Sequence, residues 1–348
     1  MKKYIYLFLS TIVIFSCKQE AKKDANTELK QDSALISGKS IPKELVELNK
    51  SVQASPGNPS SYNERAKYYI RNEELDLAYN DIVKVFQLDS MYMPVYSTLA
   101  DYHLYKSEPA QAKAILEKGL SLNKKSYMTL VKLGELYYLV KKYDLAFEKI
   151  NEGLKINKYY SDGYFWKGMI YKDKKEYSKA KSNFMTAVEQ DPDNFKAYMQ
   201  MGLISIELNE KEALDHFNAA VRIKPESTEG FYARGYYYQT NDQLDKAIQD
   251  YEKVIQLDST YTSAHYNLGI LRYELKLVDL AFLDFSRAIK TNPKYAEAYY
   301  MRGLCEESKG LDQQAIADFE FAISLNPNYT LAKNAIVRVN NTIKSIKK

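Results

Sequence analysis

The chain is poor in the residues that most β-folds and most active sites require. Thirteen glycines and nine prolines in 348 residues are too few for the many tight turns of an all-β protein. Two cysteines, Cys17 and Cys305, exclude a disulfide framework and a thiolate metal cluster. Three histidines, His103, His216 and His265, lie far apart and read as core or surface residues, not as ligands or bases. There is no Walker loop and no Gly-x-Ser-x-Gly elbow. Acidic pairs such as Glu306-Glu307 are adjacent, so on a helix they face different ways. These absences argue against an enzyme and call for no metal and no cofactor. The 49 basic and 45 acidic residues nearly cancel, which removes the basic footprint of a nucleic-acid binder. Long apolar runs are missing as well. The longest, Tyr4–Phe15, is too short for a membrane helix of ~20 residues.

That run follows Lys2 and Lys3 and suits the apolar region of a signal peptide. It ends in Ile14-Phe15-Ser16-Cys17, which resembles the lipobox of bacterial lipoproteins: an aliphatic residue, then a small one directly before cysteine. The resemblance implies that residues 1–16 are removed and that Cys17 is acylated. It places the chain in the bacterial cell envelope, lipid-anchored, at the outer membrane. Each buried acyl CH₂ adds ~0.8 kcal/mol to anchoring. A plain secreted protein fits less well, because Ile14 is not small, and a spanning helix fits least. Cys305 is then left without an intramolecular partner and reads as a small buried apolar residue. Residues 18–41 mix both charge signs with small polar residues and hold no aromatic ring. With Cys17 they form the expected flexible tether, 17–41, and ordered structure is expected from Pro42.

A strict period runs through the remainder. Gly134, Gly168, Gly202, Gly235, Gly269 and Gly303 are spaced 34, 34, 33, 34 and 34, and Ala66 and Ala100 extend the series backwards. Twelve residues after each stands Ala78, Ala112, Ala146, Ala180, Ala247, Ala281 or Ala315. Ala213, eleven after Gly202, marks a one-residue deletion. Pro192, Pro225, Pro293 and Pro327 close four of the units. A glycine inside a helix costs about 1 kcal/mol relative to alanine, so its recurrence needs a gain. Close approach of two antiparallel helices supplies one, with the later alanine as the expected opposing surface.

The pattern resembles the tetratricopeptide repeat (TPR), shown well by Leu268-Gly269, Ala281, Phe285, Ala288 and Pro293. Eight units fit: 59–92, 93–126, 127–160, 161–194, 195–227, 228–261, 262–295 and 296–329. The resemblance implies an all-α, right-handed superhelical solenoid of antiparallel helix pairs. Residues 42–58 are expected to form an N-terminal capping helix, and 330–348 a basic C-terminal one with Ala332, Ile336, Val339, Ile343 and Ile346 on its apolar face. At the seventh place of a unit, where the family has leucine, stand Arg65, Lys167, Arg234 and Arg302. Their stems are expected to lie along apolar surface with the charge in water.

In this family the first helix of each unit lines a concave groove through places 2, 5, 9, 12 and 13. Places 5 and 9 share a helix face. In units 1–3 they are polar or mixed: Asn63, Lys67, Ser97, Asp101, Val131 and Glu135. In units 4–8 they are Phe165, Met169, Met199, Leu203, Tyr232, Tyr236, Tyr266, Ile270, Tyr300 and Leu304, an unbroken apolar and aromatic stripe. Such a patch marks an interaction site, with acids beside it at Asp162, Glu229 and Glu297. Structural burial, a C-terminal helix folded into the groove and self-association are competing readings. Asn63 and Lys67 match half of the clamp with which some relatives hold a terminal carboxylate, but Ser97, Thr98, Val131 and Lys132 do not complete it. The leading function is an envelope-tethered adaptor whose groove takes a segment of a partner protein. A glycan-binding lipoprotein that stacks sugars on tyrosine, or a structural spacer, are the alternatives. In the pair Tyr299-Tyr300 the first ring is expected between units and the second in the groove, since neighbours on a helix point ~100° apart.

Overall fold

The structure, a computed structural model, describes residues 42–346, so Cys17 and the tether lie outside the described residues. The described residues divide into two units, one up to Pro56 and one from Gly57. The first contributes α1 (Lys43–Ala54), which Pro42 precedes and on which Lys50 and Glu47 form an ion pair one turn apart.

The second unit is a stack of helix pairs, and the described residues contain no strand. Pair 1 is α2 (Pro59–Arg71) and α3 (Leu75–Leu88), and pair 2 is α4 (Pro94–Tyr105) and α5 (Pro109–Leu122). Pairs 3 and 4 are α6 (Tyr127–Leu139) with α7 (Tyr143–Ile156), and α8 (Ser161–Asp173) with α9 (Tyr177–Gln190). Pairs 5 and 6 are α10 (Phe195–Glu207) with α11 (Ala213–Ile223), and α12 (Thr228–Thr240) with α13 (Leu244–Leu257). Pairs 7 and 8 are α14 (Thr262–Glu274) with α15 (Val278–Thr291), and α16 (Ala296–Ser308) with α17 (Asp312–Leu325), and α18 (Thr330–Ile346) ends the array. From α2 to α18 each helix packs on the next one in sequence. First helices also touch each other, α2 on α4, α4 on α6, α6 on α8, α10 on α12 and α14 on α16, and so share one face, the inner one.

Local chemistry sets the ends of these helices. Asn58, Ser126, Asn194 and Ser227 cap first helices by accepting a backbone N–H one turn in. The turn back to a first helix is an Asx turn in seven of eight cases, for instance Asp258 Oδ1 accepting the Thr260 N–H at 2.8 Å. Inside each pair the turn contains one left-handed residue. Only Gly310 supplies it cheaply, while Glu73, Ser107, Lys141, Lys175, Asn209, Asp242 and Lys276 adopt it with a side chain. The deletion in pair 5 is absorbed at the start of its second helix. There α11 has 11 residues where the other second helices have 14.

The recurring glycine faces a residue other than the expected alanine. A Cβ on Gly168, Gly202, Gly269 or Gly303 would stand 2.5–2.7 Å from a ring carbon of Phe184, Phe217, Phe285 or Phe319. Gly134 meets Ile150 in the same way, and Gly235 meets Tyr251. These side chains stand near the middle of the second helix and are fully buried. The alanine one turn earlier is also fully buried, and in pairs 3 and 8 its carbonyl closes the same site. Where the second helix offers Leu116 instead of a ring, Ala100 fills the glycine's place in the same cluster.

The cationic seventh residues also depart from expectation. Arg65, Arg234 and Arg302 do not send their charge to water. Each forms a two-pronged bridge to an aspartate 16 residues on: Asp81 at 2.8 and 2.8 Å, Asp250 at 2.8 and 2.8 Å, Asp318 at 2.6 and 2.7 Å. The aspartates are buried, and the planar guanidinium satisfies both oxygens at once. In pair 7 Arg272 reaches the fully buried Asp284 from elsewhere on the first helix. The same arginines lie over rings, Arg234 over Phe231 at 5.4 Å and Arg302 over Tyr299 at 5.5 Å. Tyr299 is accordingly half-buried on the flank of its own pair, against Phe321 at 4.5 Å, and not enclosed between pairs.

At the end of the array Ala332, Ala335 and Val339 of α18 are buried against Ala315, Phe319 and Ala322, with Ile336 and Ile343 half-buried beside them. The helix stacks on α17. The side chain of Ile346 lies outside the described residues. Cys305 is unpaired and fully buried, and burial pushes its thiol up to about 12.

Two outcomes follow from this packing. Gly202→Ala should cost ~1–3 kcal/mol in chemical denaturation, because the Phe217 ring cannot retreat in a close-packed core. Gly230→Ala, with its nearest neighbour Val221 Cγ2 at 3.4 Å, should instead gain up to ~1 kcal/mol. Glu306 provides the second test. It is buried beside Asp318, one of its oxygens has no hydrogen-bond partner, and burial pushes its carboxyl up from 4.5 to about 7. The folded state therefore holds a proton that the unfolded chain releases earlier. The stability this group contributes is fully present below 4.5 and is lost as the pH rises through 7. Glu306→Gln should be more stable than the parent at pH 8 and match it near pH 4.5. A difference that ignores pH would show that Glu306 is ionised in the fold.

Candidate functional site

The inner face changes character between pairs 3 and 4. In the first half charged groups are tied to one another. Lys67 pairs with Glu64 at 2.7 Å, and Lys132 is held between Asp101 and Glu135, the latter at 2.9 Å. Burial opposes the charge on Lys132, but the two carboxylates outweigh it and hold the ammonium above its ordinary value. Asn63 is fully buried and Val131 nearly so. This half of the face is occupied by its own ion pairs.

In the second half the ten side chains of the expected stripe divide into two groups. Phe165 and Met199 are 6% and 1% exposed, so they are core and offer a partner almost nothing. Phe165 lies against Phe184 and Trp166, and Met199 shares a cluster with Phe195 and Phe217. The other eight, Met169, Leu203, Tyr232, Tyr236, Tyr266, Ile270, Tyr300 and Leu304, are half-buried. Of these, Tyr236 belongs to none of the packed clusters and makes no ring contact among the described residues.

Three tyrosines outside that stripe join this face. Tyr261, Tyr295 and Tyr329 stand against Tyr232, Tyr266 and Tyr300 at 5.2, 4.8 and 5.2 Å between ring centres. Each pair of rings is separated by 29 residues in the sequence, a repeat that was available to be read. Every inner tyrosine of the series also leans on the buried ring of its second helix, Tyr232 on Tyr251, Tyr266 on Phe285, Tyr300 on Phe319. The result is a ladder of three rings per helix pair through pairs 6–8. Burial pushes these phenols up, Tyr261 to about 12, with Glu229 contributing there and Glu297 at Tyr266, Tyr295 and Tyr329. All are neutral at ordinary pH. Tyr232 also accepts an amide N–H from Asn267 at 3.1 Å.

The histidines hold structural posts. His265 is buried with Nε2 at 3.0 Å from the Ser259 carbonyl, and His103 Nδ1 lies 2.8 Å from Glu108. Among the described residues no three metal-ligating side chains converge, and no helix is long and apolar enough to cross a membrane.

Comparison with known proteins agrees with this architecture. A family profile described as tetratricopeptide repeat matches residues 161–194, another residues 283–330, and one described as TPR repeat matches residues 238–276. Anaphase-promoting complex subunit 3 of Schizosaccharomyces pombe is 25% identical over 175 residues, which are 50% of this chain and 26% of that protein. The chain thus spans about a quarter of that relative's length. In the crystal structure of the APC/C hetero-tetramer Cut9-Hcn1, a similar chain is 14% identical with a TM-score of 0.60, over 85% of this chain and 58% of that one. The C-terminal part of a TPR repeat-containing protein from Cytophaga hutchinsonii aligns at 19% identity and a TM-score of 0.56, over 69% of this chain and 99% of that one. Residues 161–194, 238–276 and 283–330 match tetratricopeptide-repeat profiles, and the chain has the all-α solenoid fold of these proteins.

Proposed function

We propose that the protein is a binding scaffold, tethered to an envelope membrane by a lipid on Cys17, whose inner face over pairs 4–8 receives a segment of a partner protein. The observation that carries this reading is the row of half-buried side chains that includes Tyr236, Ile270 and Leu304, apolar along an inner face that stays partly open to solvent. The ion-paired first half of the same face offers no comparable anchor. Apolar anchors set in pockets between helices supply affinity, and a polar surround supplies register. The similar anaphase-promoting complex subunit and the Cut9-Hcn1 tetramer are, by name, members of assemblies, which accords with a scaffold. Stacking of sugars on tyrosine has less support. Six of the ring faces are turned to one another, and Met169, Leu203, Ile270 and Leu304 interrupt the row.

The structure alters which variants test the reading. Removing Tyr232 or Tyr266 would strip rings from Tyr251 and Phe285 and so destabilise the fold itself. Tyr236→Ser with Ile270→Ser changes two half-buried side chains, Ile270 at the edge of the Phe285 cluster, and spares those ring stacks. A photo-crosslinking residue in place of Tyr236 should capture a protein in native membranes, and one in place of the exposed Met185 should not. The double variant should lose the partner while melting within a few degrees of the parent. Crosslinking equal at both places would remove the inner face as the site. The tether is tested separately. Labelling with a fatty-acid analogue should mark the parent chain, and Cys17→Ala should abolish the label.

A further inference from the structure

At the second place of the first helix, pairs 6–8 carry Glu229, Ser263 and Glu297. Glu229 and Glu297 are exposed, and neither has an ion-pair partner among the described residues. Asp162, at the same place in pair 4, shows where such a carboxylate lies: its Oδ2 accepts the hydroxyl of Tyr160 at 2.9 Å. Glu297 follows Tyr295 as Asp162 follows Tyr160. Yet the hydroxyls of Tyr295, Tyr266 and Tyr329 make no hydrogen bond to a described protein group, although the charge of Glu297 acts on all three. Arg338 of α18, at this end of the array, is committed to Glu307 by two hydrogen bonds of 2.7 and 2.5 Å.

Neutral phenols cannot neutralise a carboxylate, but ring faces and hydroxyl oxygens both attract a cation. A purely apolar segment laid here would bury Glu297 without a partner, which is unfavourable, and an acidic one would be repelled. Lysine or arginine satisfies the carboxylate and the rings together. We infer that the segment received by pairs 6–8 is basic, with one lysine or arginine side chain seated against Glu297 among the rings of Tyr266, Tyr295 and Tyr329. The inference rests on the inner-face reading given above and adds the chemistry of the partner.

The test screens the full chain against a displayed library of random dodecapeptides with equal input of basic and acidic residues. Bound peptides should be enriched several-fold in lysine and arginine over aspartate and glutamate. A fluorescein-labelled copy of the most frequent peptide should lose roughly fivefold in affinity on Glu297→Gln, an exposed change that leaves the packing intact. It should bind more weakly still to Glu297→Lys. If Tyr236→Ser with Ile270→Ser abolishes binding while peptides show no basic enrichment, or Glu297→Gln changes nothing, the basic partner is wrong and the inner face stands. If no peptide binds, or binding survives the double variant, both readings fall.

Discussion

Six of the eight helix pairs are built around one contact, the close approach of a large side chain on the second helix to a bare glycine on the first. Gly168 under Phe184, Gly202 under Phe217, Gly269 under Phe285 and Gly303 under Phe319 are the same arrangement repeated. The ring fills the space a Cβ would take, so the first helix can lie close and still bury 150–250 Å² per ring. The helix-propensity penalty of the glycine is ~1 kcal/mol, smaller than the gain from a fully buried aromatic. The distance between the two helices of a pair then follows, and with it the place of every other side chain on both.

One consequence is the pair of networks on either side of that ring. Toward the outer flank, an arginine on the first helix bridges to a buried aspartate on the second, as Arg302 does to Asp318, and its guanidinium carries a tyrosine on its other face. Toward the inner face, the same buried ring supports an inner tyrosine, and that tyrosine supports another from the end of the pair, as Phe319 supports Tyr300 and Tyr300 supports Tyr329. Tyr299 and Tyr300 therefore belong to different networks although they are neighbours in the chain. Both are half-buried, and their partners distinguish them better than their exposure does.

Repetition also lets the two halves of the array differ in chemistry without differing in fold. Pairs 1–3 turn charges inward and satisfy them locally through Lys132, Asp101 and Glu135. Pairs 6–8 turn neutral phenols inward and leave Glu229 and Glu297 without an ion-pair partner among the described residues. Each pair contacts mainly its neighbours, so such a change of surface costs the distant pairs nothing.

The period of glycine and alanine, read from the sequence alone, determined the helix pairing, because only close helix approach explains a costly residue at a fixed interval. The stripe at places 5 and 9 could be read for the same reason: a helix face is a matter of spacing. Which members of that stripe remain accessible was decided by tertiary structure. Phe165 and Met199 fit the pattern as well as Tyr236 does, but Phe165 packs on the buried ring of Phe184 and Met199 joins the cluster of Phe217, and both are closed off. The pairing of Arg65, Arg234 and Arg302 with aspartates was likewise invisible to a reading by single positions, since it needs two helices to meet. The rings of Tyr261, Tyr295 and Tyr329 joined the inner face on the same grounds. Sequence spacing fixes what shares a helix face, and only the packing of one helix on another fixes what that face can still touch.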